Sequence, residues 1–131
     1  FDDFEAKTSI MKYAQLYHEN IIIAPVDSHK EINRTLMSQA ADALLNIKGV
    51  EASFVIANID QERVAVSARS KGTLNVQIIM ENMHGGGHFT MAALQREHTS
   101  VKAVCEELQQ TIDAYIEENK EDDEDESDTA K

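Results

Sequence analysis

The sequence predicts an α/β fold, a mixed β-sheet flanked by helices, in a single compact domain with a disordered acidic tail. Three observations carry this. Extended and helical patterns alternate along the chain. Two β-rich runs, over 20–26 and 51–59, are apolar enough for buried strands, the second buried on both faces. Amphipathic stretches with helical spacing lie between and after them. At 131 residues, 42% hydrophobic and 27% charged, the chain suits one globular domain with one core.

Each element follows from its local pattern. Ile10, Ala14 and Tyr17 stand at helical spacing, with Phe4 and Met11 at the edges, so 3–19 is expected as a helix. Ile21, Ile22, Ile23 and Val26 give a strand that Pro25 ends or holds at an edge. Ser28 and Glu31 match a capping box before a helix carrying Ile32, Leu36, Ala40, Leu44 and Ile47, with Gly49 as its stop. Phe54, Val55, Ile56 and Ile59 mark the second strand. After a turn at Asp60 and Gln61, Val64, Val66 and Ala68 face one way, and Arg63, Ala65, Ser67 and Arg69 the other, which predicts a hairpin. Asn75 caps a short helix bearing Val76, Ile79, Met80 and Met83. A glycine run follows, then a short strand over 93–97. Val101, Val104, Cys105, Leu108, Ile112, Tyr115 and Ile116 mark a strong terminal helix.

The net charge of -12 is unevenly spread. Nine acidic residues and one Lys lie between Glu117 and Asp128, a segment with no apolar face. Without 117–131 the body is at -5. From Arg63 to Lys102 five basic residues meet two acidic ones, so that stretch is at +3. This excludes a uniformly basic surface for long nucleic acid and leaves room for a focused phosphate site. One cysteine, Cys105, forms no internal disulfide and fits a reducing compartment. No apolar run approaches a membrane span, and no signal peptide is visible. The chain begins at Phe1, so it is expected to be a piece of a larger protein.

Two features point to chemistry. Three of the five glycines are consecutive and lie between histidines: His84-Gly85-Gly86-Gly87-His88. Such a run suits unusual dihedrals, close approach of a ligand, or an anion nest of backbone N–H groups. It equally suits a connector or a tight packing turn. Arg69 ends a strand, with Ser67 on its face and Ser70 beside it. A guanidinium and hydroxyls there fit a phosphate, though a lone strand end of this kind is more often merely solvated. A zinc site on His84, His88, His98 and Cys105 is disfavoured, because glycines hold no rigid helix and Cys105 lies on the apolar stripe. Met37, Met80 and Met83 read as core.

These motifs together carry a resemblance. Ser67-Ala68-Arg69-Ser70, then Asn75-Val76, then Gly85-Gly86-Gly87-His88-Phe89-Thr90-Met91-Ala92-Ala93 resembles the accessory (DHH-associated) domain of DHH phosphoesterases. The likeness covers roughly 21–116. Leu94-Gln95 stands where many members have Gly, a variant similar to the membrane-anchored bacterial cyclic-di-AMP phosphodiesterases of the GdpP type.

The resemblance implies a division into a linker helix over 1–20, a DHH-associated substrate-binding domain over 21–116 and a disordered tail over 117–131. It implies that Ser67, Arg69, Ser70, Gly85, Gly86, Gly87 and His88 bind substrate phosphate, with an assisting role for His88. No metal ligand or cofactor is expected in this chain. Manganese is expected in a DHH domain of the same protein, which cleaves a cyclic dinucleotide to linear di-adenylate. The fragment alone is then inactive, and the whole protein sits at the cytoplasmic face of the cell membrane through an N-terminal anchor. A homodimer is compatible with this. The alternative is a single-stranded nucleic-acid-binding module of a RecJ-like exonuclease or oligoribonuclease, with a short oligonucleotide as ligand. A non-catalytic oligomerisation or regulatory domain is the third reading.

Overall fold

The computed structural model describes residues 2–129, with side chains over 5–120. Its strands are β1 (Gln15–Tyr17), β2 (Ile21–Val26), β3 (Ala52–Asn58), β4 (Arg63–Ser70), β5 (Gly86–Gly87) and β6 (Met91–Glu97). They form one sheet in the order β1-β2-β3-β4-β6-β5. β2 and β3 run parallel, and every other neighbouring pair is antiparallel, so the sheet is mixed as expected. The helices are α1 (Asp2–Met11), α2 (Arg34–Leu45), α3 (Val76–Asn82) and α4 (Val101–Thr129).

Strand alternation sorts side chains into two cores. Phe54, Val66, Ala68 and Leu94 pack with α3 and α4 on one face. Val55, Ala57 and Ala65 pack with α2 and Ile10 of α1 on the other. The Ser53 hydroxyl donates to the Ala41 carbonyl at 2.7 Å and clamps α2 to β3 without leaving a buried polar atom unmatched. Both edge strands are very short, so β2 and β6 each keep a free edge beyond them.

The structure corrects several expectations. The helix expected over 3–19 stops at Met11, and 15–17 become β1, an edge strand on β2. The linker helix of 1–20 is therefore partly sheet. Pairing with Ile21–Ile23 outweighs the thin helical stripe, whose Phe4 lies outside the described side chains. Tyr17 then ties β1 to α4. Its hydroxyl donates to the Asp113 carboxylate at 2.8 Å, and His18 Nε2 lies 2.8 Å from the same group. Burial, with the Asp113 hydrogen bond second, pushes the Tyr17 phenol up to about 12. β1 pairs only with Ile21–Ile23 of β2, so Pro25 lies past that pairing, where β2 has an edge as the proline requires. The expected tail over 117–131 falls mostly on residues whose side chains lie outside the described set.

α2 opens on Asn33, not on the Ser28 capping box. The Asn33 side chain accepts the Leu36 N–H at 2.8 Å, whereas the Ser28 hydroxyl accepts the nearby Lys30 N–H at 3.0 Å in a local turn. Ile47 lies beyond the helix end and is exposed. Asn33→Ala is therefore expected to cost about 1 kcal/mol in urea unfolding, and Ser28→Ala less than about 0.5 kcal/mol. Equal costs would restore the capping box.

Candidate phosphate-binding site

α2 covers β3 and β4 but leaves β6 open. On that face Met91, Ala93 and Gln95 are exposed, while Ala92 and Leu94 are buried on the opposite face. Paired residues on neighbouring strands project to the same face, so the ladder lays out rows across the open area. Ser67 pairs with Ala93, and Ala93 with Gly86. One row on, Arg69 pairs with Met91. His88 and Met91 exchange backbone bonds at 2.7 and 3.4 Å. Arg69 and His88 thus flank one row, two strands or about 10 Å apart in backbone position. Met91 lies between them in that row, and the adjacent row beside Ser67 has a floor of small groups, Ala93 and Gly86.

Arg69 is 8% exposed and held from two sides. Its Nε donates to Asp42 Oδ1 of α2 at 3.0 Å, and its Nη1 donates to the Ala68 carbonyl at 2.9 Å. Those bonds fix the guanidinium plane, and three of its five N–H donors remain beyond them. Ser67, also buried, shares this face. Ser70 does not join them. It faces the other side, its N–H donates to the Thr90 carbonyl at 3.0 Å and its hydroxyl to the Phe89 carbonyl at 3.4 Å. Ser70 steadies the tip of the β5–β6 hairpin instead. The Val76 N–H also donates to Phe89, at 3.0 Å, so the tip bearing His88 is pinned by backbone bonds.

The glycine run is an edge strand and not an open nest of three N–H groups. The Gly85 N–H donates to the Met80 carbonyl at 2.7 Å, and the His84 N–H to Glu81 at 3.0 Å, which closes the end of α3 as a Schellman motif. His84 takes the left-handed position there, φ 67°. The His88–Met91 exchange makes Gly86–Ala93 the next bonded pair and turns the Gly87 N–H outward. Gly87 is thus the member of the run that keeps a donor off the ladder. Packing requires two of the glycines. A Cβ on Gly85 would lie 2.4 Å from the Ala93 carbonyl oxygen, and one on Gly87 2.5 Å from Ala92 Cα, whereas one on Gly86 meets nothing within 4 Å.

The local positive charge is largely paired by carboxylates. Asp60 holds Arg63, Asp42 holds Arg69 and Glu107 holds Arg96. The Arg96 hydrogen bond holds the Glu107 carboxyl below the usual range, and Arg96 also donates to the Met83 carbonyl at 2.8 Å. That arginine anchors α3; it faces away from the site.

A groove of about 450 Å³ continues from this face along β6. Arg34 and Ser38 of α2 bank one side, His84 and Gly85 the other, with Ser67 and Gln95 in the floor. Arg34, Ser38, Asp42 and Gln95 were absent from the expected site. The signal for the first three is a polar stripe at four-residue spacing beside the apolar face of α2, indistinguishable by itself from a solvated helix edge. Among the described residues no three His, Cys, Asp or Glu side chains gather as metal ligands, so these residues do not fit a metal pair. No described helix is long and apolar enough to cross a membrane.

A backbone-pinned histidine and a carboxylate-fixed arginine thus lie on one open sheet face. Residues 18–118 match the DHHA1 domain, and the chain belongs to that family. It is 43% identical over 118 residues to the cyclic-di-AMP phosphodiesterase GdpP of Bacillus subtilis, covering 88% of this chain and 18% of that protein. It is 37% identical over 112 residues to the cyclic-di-AMP phosphodiesterase PdeA of Listeria monocytogenes, covering 86% and 17%. The chain therefore spans less than a fifth of the length of these curated relatives. An exopolyphosphatase-related protein of Bacteroides fragilis shares the fold, with TM-score 0.75 and 16% identity over 86% of this chain and 34% of that one.

Proposed function

We propose that this chain is the substrate-holding part of a cyclic-di-AMP phosphodiesterase. The observation that carries the reading is the shared open face: Arg69 and His88 flank Met91 in one row, and Ser67 opens the adjacent row over the small residues Ala93 and Gly86. Arg69 grips a phosphate through N–H donors left by Asp42 and Ala68. His88 donates a hydrogen bond to a phosphate oxygen, and the outward Gly87 N–H adds a third donor. The likeness to two cyclic-di-AMP phosphodiesterases supports the choice of ligand.

Cleavage to linear di-adenylate belongs, in this reading, to a manganese-dependent DHH domain outside the chain, and the membrane anchor lies outside it too. This domain contributes proximity: it holds the nucleotide where another domain acts on it. A second reading, a module for single-stranded nucleic acid, is favoured by the exposed Phe89 at the hairpin tip, which presents a ring for base stacking. Competition separates the two. Cyclic-di-AMP is expected to displace a labelled dinucleotide from the full-length protein far better than short oligonucleotides do. The reverse ranking would transfer the assignment to the second reading.

A further inference from the structure

Asp42 stands where its own helix does not want it. It lies in the last turn of α2, the negative end of the helix, where an acidic side chain is unfavourable. Aspartate is also a poor helix former. It follows Arg34 and Ser38 at four-residue steps, so it shares the helix edge that banks the open face. Residues set against local preference cluster where function chooses them.

Its contact with Arg69 is a single one. Oδ1 accepts from Nε at 3.0 Å, and Oδ2 makes no hydrogen bond among the described residues. A two-point pair would also occupy Nη2. One bond holds the guanidinium plane and leaves both hydrogens of Nη2 and one of Nη1 for a phosphate. The partners differ in exposure: the Arg69 side chain is 9% exposed and that of Asp42 59%. The carboxylate therefore keeps its charge at the surface, beside the arginine that meets the ligand.

Together the pair carries no net charge. Ser67, Met91, Ala93 and Gln95 on the same face are uncharged, and Arg34 lies eight residues, about 12 Å, back along α2. Donors are thus aimed at a phosphate without a strong positive field behind them. A second negative charge on the ligand gains no further donor, and it is repelled by Asp42 at short range.

We propose that Asp42 selects the ligand by charge. It aims Arg69 and cancels its field, so that the face accepts a singly charged phosphodiester and disfavours a doubly charged phosphomonoester. The inference rests on the reading of Arg69 and His88 as the phosphate site.

The test uses the full-length enzyme and two inhibitors of cyclic-di-AMP hydrolysis at pH 8. AMP, a monoester with a second ionisation at about pH 6, carries two charges there; its methyl ester is a diester with one. Asp42→Asn keeps an oxygen for the Arg69 Nε–H and removes the charge. It is expected to shift the ratio of the two inhibition constants about fivefold in favour of AMP, and added salt should shrink the shift. Asp42→Glu, which keeps the charge, should hold the parent's ratio. A merely structural ion pair would weaken both inhibitors together and leave the ratio alone. His88→Ala reads the underlying site separately, and should weaken both inhibitors by a similar factor. If it does so while Asp42→Asn leaves the ratio within twofold of the parent, the role of Asp42 is overturned and the site stands. If His88→Ala weakens neither inhibitor, the phosphate site itself is misassigned and the proposal falls with it.

Discussion

In the full-length enzyme, His88→Ala is expected to lower cyclic-di-AMP hydrolysis about 10- to 100-fold, the loss of one hydrogen bond to a charged group. Stability should hardly move. The imidazole is exposed, and the bonds that pin the hairpin tip come from the backbone of His88, Phe89 and Thr90. A surface substitution of this kind normally changes stability by less than about 0.5 kcal/mol. Arg69→Lys is the informative companion. Lysine keeps the charge but cannot hold Asp42 and the Ala68 carbonyl while offering a planar fork to phosphate. Its activity loss should be similar, but with a stability cost of about 1–3 kcal/mol for disturbing a buried polar group. Activity and unfolding measured side by side would show function lost alone at His88 and lost with stability at Arg69. Turnover within twofold of the parent for both variants would remove these residues from the site.

That contrast reflects what sequence reasoning reaches. The β3–β4 hairpin was legible because Val64, Val66 and Ala68 alternate with Ala65, Ser67 and Arg69, and period two is a local property. Asn75 was legible as a cap for the same reason; its side chain accepts the Ile78 N–H at 3.2 Å. Tyr17 was not, because its strand conformation depends on Ile21 and on Asp113, 96 residues away in the chain. Ser28 and Asn33 were both sound capping residues, and the choice between them lay in the turn that Ser28 closes with Lys30. Ser67, Arg69 and His88 were singled out by type and spacing together with the family resemblance, and the fold brings them to one sheet face. The Asp42 partner was hidden because an exposed Asp on a helix carries no mark of the strand it faces. The +3 of the stretch from Arg63 to Lys102 likewise omitted carboxylates from outside it, at Asp42 and Asp60, and one just beyond it, at Glu107.

The glycine run shows the same limit, and it yields a second large effect. Three identical residues looked like one feature, yet the ladder gives them different duties. Gly87 has φ 145° and would set a Cβ 2.5 Å from Ala92 Cα, so Gly87→Ala combines backbone strain with overpacking. Together these should cost about 2–5 kcal/mol. Gly85→Ala is opposed by backbone as well, through the Ala93 carbonyl oxygen. Gly86 pairs with Ala93, whose side chain is on the open face, so a methyl at Gly86 projects over the floor where nothing lies within 4 Å. Gly86→Ala should therefore leave urea unfolding within about 1 kcal/mol of the parent, since its methyl meets open space. It should nevertheless raise KM for cyclic-di-AMP about tenfold, because only a bound ligand would meet that methyl. A Gly86→Ala protein that is both stable and fully active would mean that the ligand does not cross the Ser67–Ala93–Gly86 row beside Arg69 and His88. A stable protein with weakened binding would separate the one glycine kept clear for a ligand from the two kept for the fold.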